Sequence, residues 1–368
     1  MKQIRKAILI LILCSVVTIS HAQLKDIGTV LSGGVADAEM LLTEYIKPYA
    51  NALGANLNGG WYNTAKPHSL GGFDLTLSLS AAIVPSGDRS FDAGSLTFTP
   101  TNPDITASVT GASSPTAAGD KDPGQTITYT YDNGILPAID IASYQIPKGS
   151  GVPYFLSPMI QASVGLIKET EIIGRFMPQT KLGLSGGTKA GMWGVGIKHS
   201  LSQWIPGLKR IPVFNMSLMG GYTRLSLNSG IAVTPDMIGA TDGTSAAVSF
   251  DNQALDMLVQ GYTINLLLSA DLPVITIYGG AGISKSEANL TLEGFYPLPD
   301  INDPAFAVTD NSAVEDPIDI NIEYKGGSAT KPRLNGGLRL KFAVITIHAD
   351  YTYANYSIAT LGLGVNFR

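Results

Sequence analysis

From Leu70 onward the chain repeats with a period of two, over runs long enough to cross a bilayer. In Phe73–Ile83, residues Phe73, Leu75, Leu77, Leu79, Ala81 and Ile83 fall on one side of an extended chain, and Asp74, Thr76, Ser78, Ser80 and Ala82 on the other. Eleven alternating residues match a tilted transmembrane strand of about 9–11 residues, whereas strands of soluble sandwiches run to about 5–6. The C-terminal third repeats the pattern. Leu334, Leu338, Leu340 and Phe342 oppose Arg333, Asn335, Arg339 and Lys341. Ile345, Ile347, Ala349, Tyr351 and Tyr353 oppose Thr346, His348, Asp350 and Thr352, and Ala359, Leu361, Leu363, Val365 and Phe367 oppose Ile358, Thr360, Gly362, Gly364 and Asn366. Small and polar residues on one face suit a lumen, and apolar ones with terminal aromatics suit lipid and its interfaces.

No segment can cross as a helix. The only long apolar run, Ala7–Ile19, falls short of the ~20 residues required. Yet 45% of the 368 residues are hydrophobic and only 14% charged, against roughly 25% charged in soluble proteins. The remaining structure that satisfies every backbone polar group within lipid is a closed barrel, and 41 Gly with 21 Pro fit many strands and turns. The expected fold is therefore all-β: a transmembrane antiparallel β-barrel with an N-terminal helical plug or cap.

Residues 1–22 read as a secretory signal peptide: Lys2, Arg5 and Lys6, then the apolar run, then Ser20-His21-Ala22 before Gln23. Export places the protein in the cell outer membrane. Removing the leader takes the basic count from 24 to 21 against 29 acidic residues, a net charge of about −8, and removes the only cysteine, Cys14. Disulfides and thiol chemistry are excluded, and the acidic balance gives no footprint for nucleic acid. Residues 23–69 read as a helix followed by a Gly/Asn-rich plug segment, and 70–368 as the barrel.

Within 35–52, Val35, Met40, Leu41, Leu42, Tyr45, Ile46 and Tyr49 approach a helical stripe. This helix needs burial, so a place in or against the lumen is expected, with Met40, Leu41, Tyr45, Trp61 and Tyr62 as plug residues; docking on the periplasmic rim is the alternative. Short connections fall at Asp271–Pro273 and Phe342–Val344, a longer one at Ser202–Pro212, and long polar ones near 86–157, 228–253 and 289–332. Short turns on the periplasmic side and long loops outside are the outer-membrane arrangement. Ten spanning strands are clear. Segments at 95–99, 126–131 and 139–146 are strand-like, and since a structureless loop of 70 residues is unusual, the expected total is 12–14.

Several segments carry a resemblance: Gly71–Pro85 preceded by Trp61-Tyr62-Asn63-Thr64-Ala65-Lys66, Gly194–Val213 (GVGIKHSLSQWIPGLKRIPV), Gly221-Tyr222-Thr223 and Ala349-Asp350-Tyr351-Thr352. Together they resemble an uncharacterised family of Gram-negative outer-membrane barrels related to the long-chain fatty-acid transporter (FadL-like) barrels. The resemblance spans most of 24–368, with Ile197–Pro212 its most specific block. It implies an N-terminal hatch in the lumen, a hydrophobic or amphipathic small-molecule ligand, and release through a gap in the wall. The hatch motif Asn-Pro-Leu-Gly is not present; Asn51-Ala52-Leu53-Gly54 is its nearest counterpart.

Asp74, Glu171, Arg175, Lys198, Arg224, Arg333, Arg339, Lys341, His348 and Asp350 are expected on the lumen face, because Arg or Lys facing lipid at mid-bilayer costs about 2–4 kcal/mol. They either pair across the interior or, with Arg224, Arg339, Lys341, His348 and Asp350 as candidates, tune selectivity or hold an acidic headgroup. His348 and Asp350 share a face, but His199 and Ser200 are strand neighbours on opposite faces, and no nucleophile–base–orienter set emerges. The expectation is no enzyme, no cofactor and no metal: the mature histidines are too far apart for zinc spacing. Outer-membrane lipid is the expected partner, and the barrel a monomer. Passive uptake of hydrophobic or amphipathic small molecules is the expected function, with a structural or surface-interaction barrel without transport as the alternative.

Overall fold

The computed structural model describes residues 34–100, 102–135, 137–182, 188–209, 211, 213–238, 240–245, 247–298, 307–323 and 330–367. The leader expected over 1–22 lies outside these residues. One 24-residue helix, α1 (Val35–Asn58), precedes the wall strands: β1 (Phe73–Ile83), β2 (Tyr154–Leu166), β3 (Thr170–Leu182), β4 (Thr188–Ser200), β5 (Phe214–Gly230), β6 (Ala254–Asp271), β7 (Ile275–Glu293), β8 (Lys331–Phe342), β9 (Ile345–Tyr353) and β10 (Ile358–Phe367). Each pairs antiparallel with its chain neighbours, and β1 pairs with β10 from Phe73↔Phe367 to Ala82↔Ile358, so the ring closes.

The wall thus has ten strands, not 12–14. The strand-like segments between β1 and β2 do form strands, Ile105–Thr110, Thr126–Tyr131 and Ile139–Gln145, but these pair only with one another. At six or seven residues they are too short to cross a bilayer. They form a loop sheet instead, whose Ile127, Tyr129 and Tyr144 are buried against α1.

Alternation decides which way each side chain points. On β1 the pattern is the expected one, with Asp74, Thr76, Ser78 and Ser80 buried and Phe73, Leu75 and Ile83 exposed. An outward belt of Ile197, Leu218, Ile264, Leu266, Leu268, Ile277, Leu338, Ile347 and Leu363 surrounds this end of the barrel. Three turns here are short, residues 167–169, 272–274 and 343–344, and one, 201–213, is longer. The opposite end carries the long connections 84–153, 231–253 and 294–330. Long loops mark the extracellular end. At that end β6 and β7, 18 and 19 residues long, continue well past the belt.

Candidate functional site: the plugged lumen

α1 lies inside the barrel, and from Pro48 to Asn58 every residue is buried. Its first half sits among the extracellular loops. Ala38, Leu41 and Leu42 join Ile127, Tyr129 and Tyr144 of the loop sheet and Leu225, Met257, Val259 and Leu290 of the wall in one apolar core. Asp37, 2% exposed, accepts from the Thr99 backbone N–H and the Tyr129 hydroxyl, both at 2.8 Å. Burial, with Tyr144 beside it, raises the Tyr129 phenol above its ordinary range, so it stays a donor to Asp37. Tyr45 and Tyr49 donate to the carbonyls of Lys148 and Val152, each at 2.8 Å. Met40 is only half-buried.

The second half ends in the polar lumen, where a helix C-terminus poses a problem. Its last carbonyls have no intrahelical partner and carry the negative end of the dipole, and the last turn of α1 holds no basic residue. The wall supplies two. Arg175 on β3 donates to the carbonyls of Leu57 (3.0 Å) and Gly59 (2.6 Å) and to Gln161 Oε1 (2.9 Å). Arg333 on β8 donates to the Asn58 carbonyl and to Thr352 Oγ1. Both guanidiniums are buried. Two arginines from separate wall strands therefore grip the helix end.

Below the grip the chain descends through Gly60–His68 to the start of β1, bonded to the wall at Trp61, Asn63, Thr64, Ala65 and His68. The Trp61 ring lies 3.7 Å from the Arg175 guanidinium and fills a niche made by Gly196 and Gly221, paired across β4 and β5. A Cβ on either glycine would come within 2.7 Å of the ring. Tyr62 meets Tyr278 edge-on at 6.2 Å. Thr64 donates to Asp271 (2.8 Å), and Ser217 to the Ala65 carbonyl. His68 donates to Glu171 from its backbone N–H and from Nδ1, at 2.9 and 2.8 Å, and Lys198 Nζ lies 3.2 Å from the same carboxylate.

Four of the five lumen candidates face inward. Arg339 reaches Asn63 Oδ1 at 3.0 Å, Lys341 reaches Asn366 at 2.7 Å, Asp350 accepts from Tyr278 and Asn335, and His348 is buried against Gly362. Arg224 does not. It is exposed on the outside of β5, opposite Trp193 and Gln260. Trp193, Tyr222 and Tyr262 form an aromatic row there, with ring centroids 5.4 and 4.9 Å apart. Arg224 lies one step to its extracellular side, beyond the lipid belt, where an outward charge costs little. The reading from sequence also gave no role to Gln161 or Asn56, whose partners lie about a hundred residues away.

One seam of the wall is incomplete. The β2–β3 ladder runs from Leu166↔Thr170 to Gln161↔Arg175 and stops, while Tyr154–Ile160 continue to pair with β1 and Phe176–Leu182 with β4. Pro158 and Pro178 sit on the two strands where pairing is lost, and β3 carries an irregularity between Met177 and Thr180. Proline donates nothing to a ladder. Met159, Met192 and the half-buried Phe155 and Met177 belong to the core behind the seam, Ile160 and Phe176 are exposed outside it, and Asn56 of α1 donates to the Phe155 carbonyl at 2.7 Å. A cavity of about 10 Å³ lies at the end of α1, lined by Ala55, Asn58, Ser286 and Arg333, room for a single water.

A closed ten-stranded ring, an outward apolar belt and a plugged polar lumen define an outer-membrane-type β-barrel. The chain belongs to a family of unknown function (DUF6588), whose profile matches residues 1–367. No curated protein matches it. Similar solved structures include the transport unit of the autotransporter AIDA-I from Escherichia coli (8% identity, 88% of this chain and 98% of that one, TM-score 0.31). Others are the translocator domain of the autotransporter NalP from Neisseria meningitidis (10%, 92% and 99%, 0.27) and a mutant of the TodX monoaromatic hydrocarbon channel (11%, 82% and 67%, 0.27). At such scores none of them bears on what this barrel does.

Proposed function

We propose that this protein resides in the outer membrane and passively takes up hydrophobic or amphipathic small molecules, as the resemblance to FadL-like barrels implies, with α1 as the element that must yield. The observation that carries this reading is the unpaired seam between β2 and β3. Ile160 and Phe176 flank it on the outside and Met159, Met177 and Met192 on the inside, and Asn56 of α1 bonds the strand at its edge.

The test is uptake of a radiolabelled long-chain fatty acid into liposomes holding the folded barrel. A Thr64→Cys/Ser269→Cys pair, whose hydroxyls are 3.3 Å apart, ties the plug segment to β6 when oxidised. Uptake should fall several-fold on oxidation and return on reduction. Rates equal to those of protein-free liposomes would sink the proposal. They would favour a barrel that works through its extracellular loops without transport, a reading that draws on the small size of the cavity beside the plug.

A further inference from the structure

We infer that the outer wall of β4–β6 binds an anionic phosphorylated lipid of the extracellular leaflet, with its phosphate on Arg224 and Gln260 and an acyl chain over Gly220. Strand register builds the headgroup end. Arg224 on β5 stands directly opposite Trp193 on one side and Gln260 on the other. It is exposed and, among the described residues, makes no ion pair. Gln260 Oε1 accepts from the Tyr222 hydroxyl at 2.8 Å and from the Tyr262 hydroxyl at 3.2 Å. An amide whose oxygen is held by two phenols has its nitrogen left to offer, so Gln260 presents a donor beside the guanidinium. Lys285, opposite Tyr262 on β7, adds a second cation. It is ion-paired with Glu287, opposite Gln260, so the patch keeps a net positive charge. A guanidinium binds phosphate oxygens through its planar fork, and Trp and Tyr rings gather at headgroup depth. The long loops put this depth in the extracellular leaflet.

The wall below supplies a place for the chain. Gly220 shares the outward parity of Arg224 and Tyr222 and lies about 13 Å along the strand toward the short turns. Directly opposite it stand Ile197 and Ile264, 52% and 53% exposed. A Cβ on Gly220 would meet nothing nearer than the Thr263 carbonyl, at 4.0 Å. The β5 backbone is therefore open to lipid between two isoleucines, a furrow one side chain wide that leads down from Tyr222 to Leu218. A glycine inside a strand is where another molecule can approach the backbone closely. The other outward tyrosines of the wall, Tyr154, Tyr351 and Tyr353, stand opposite Ile83, Gly336 and Leu334, with no cation in register. Cation, oriented amide and furrow coincide along one column of β5. The inference rests on the membrane placement proposed above and not on uptake; lipid retention is read without any transport, so either can fail alone.

Native mass spectrometry of the folded barrel, released from phosphatidylcholine liposomes doped with diphosphoryl lipid A, tests it, and heat-modifiable mobility confirms that each variant is folded. The unsubstituted barrel should keep a single lipid A through release. Arg224→Gln should lower that retention about tenfold, the effect of losing a charge-assisted hydrogen bond. Gly220→Leu, which fills the furrow, should lower it several-fold. Lys168→Gln, which removes an exposed cation at the short-turn end, should leave it unchanged. Inorganic phosphate in the release buffer should not displace the lipid, because the furrow holds its chain. Displacement by phosphate down to the level of Arg224→Gln would assign the patch to the free anion and overturn the inference. So would equal retention with and without Arg224, or an equal loss in Lys168→Gln.

Discussion

The two halves of the barrel solve opposite problems with the same strands. On β6 and β7 near the short turns, Ile264, Leu266, Leu268, Ile277 and Ile283 point outward and Thr263, Asn265, Ser269 and Thr276 inward. Farther along the same strands the chemistry changes sides: Leu255, Met257, Val259, Ala288, Leu290 and Leu292 are buried inside, while Asp256, Gln260, Lys285, Glu287 and Asn289 face out. Alternation continues unbroken, because successive side chains always point to opposite faces. Only the solvent on each side is exchanged. The first half has lipid outside and a polar plug within, and the second has water outside and an apolar core within. The boundary lies near Tyr262, paired with Lys285, in line with the aromatic row. Arg224 belongs to the second regime.

This contrast predicts how substitutions should behave on each side of the boundary. The largest effect is expected from Leu290→Asp, which buries an unpaired carboxylate in the extracellular core. That costs on the order of 5 kcal/mol and should abolish the heat-modifiable folded band; a folded, heat-modifiable product would mean that the upper half is hydrated. Next comes Arg175→Met, which takes the guanidinium from the Leu57 and Gly59 carbonyls at the end of α1. At about 1–3 kcal/mol each, the unfolding free energy of refolded barrel in liposomes, read from a urea titration, should fall by about 2–6 kcal/mol, and an unchanged value would mean that the two arginines do not hold the helix end. The finest comparison pairs Leu266→Arg with Asn289→Arg. The first puts a guanidinium against lipid and should cost about 2–4 kcal/mol; the second, beyond the belt, should stay within about 0.5 kcal/mol. Equal costs in the two would erase the proposed boundary.

Much of the first regime was legible in the sequence. β1, β8, β9 and β10 carry their lipid face in plain alternation, and strand parity with the cost of charge against lipid points Asp74, Arg333, Arg339 and Asp350 inward. The second regime was harder to read. Lys285–Leu292 alternates as regularly as Ile275–Ile283, but its apolar residues have moved to the other parity, so Asn289 onward reads as the start of a polar loop. Parity tells which residues share a face; it does not tell what that face meets. The same limit explains the strand count: Thr126–Tyr131 is a genuine strand, and only its partners show that it belongs to a loop sheet.

The sequence by itself determined the class of the fold, since a low-charge chain without a spanning helix and with two-residue periodicity has one way to satisfy its backbone in lipid. It also supplied the burial demand of α1. Tertiary structure decided the rest: ten strands, the unpaired seam, and the placing of Arg175 and Arg333 on the buried end of a helix that carries no cation of its own. Those features depend on register between segments far apart in the chain. Local periodicity holds no information about which distant strand will stand opposite.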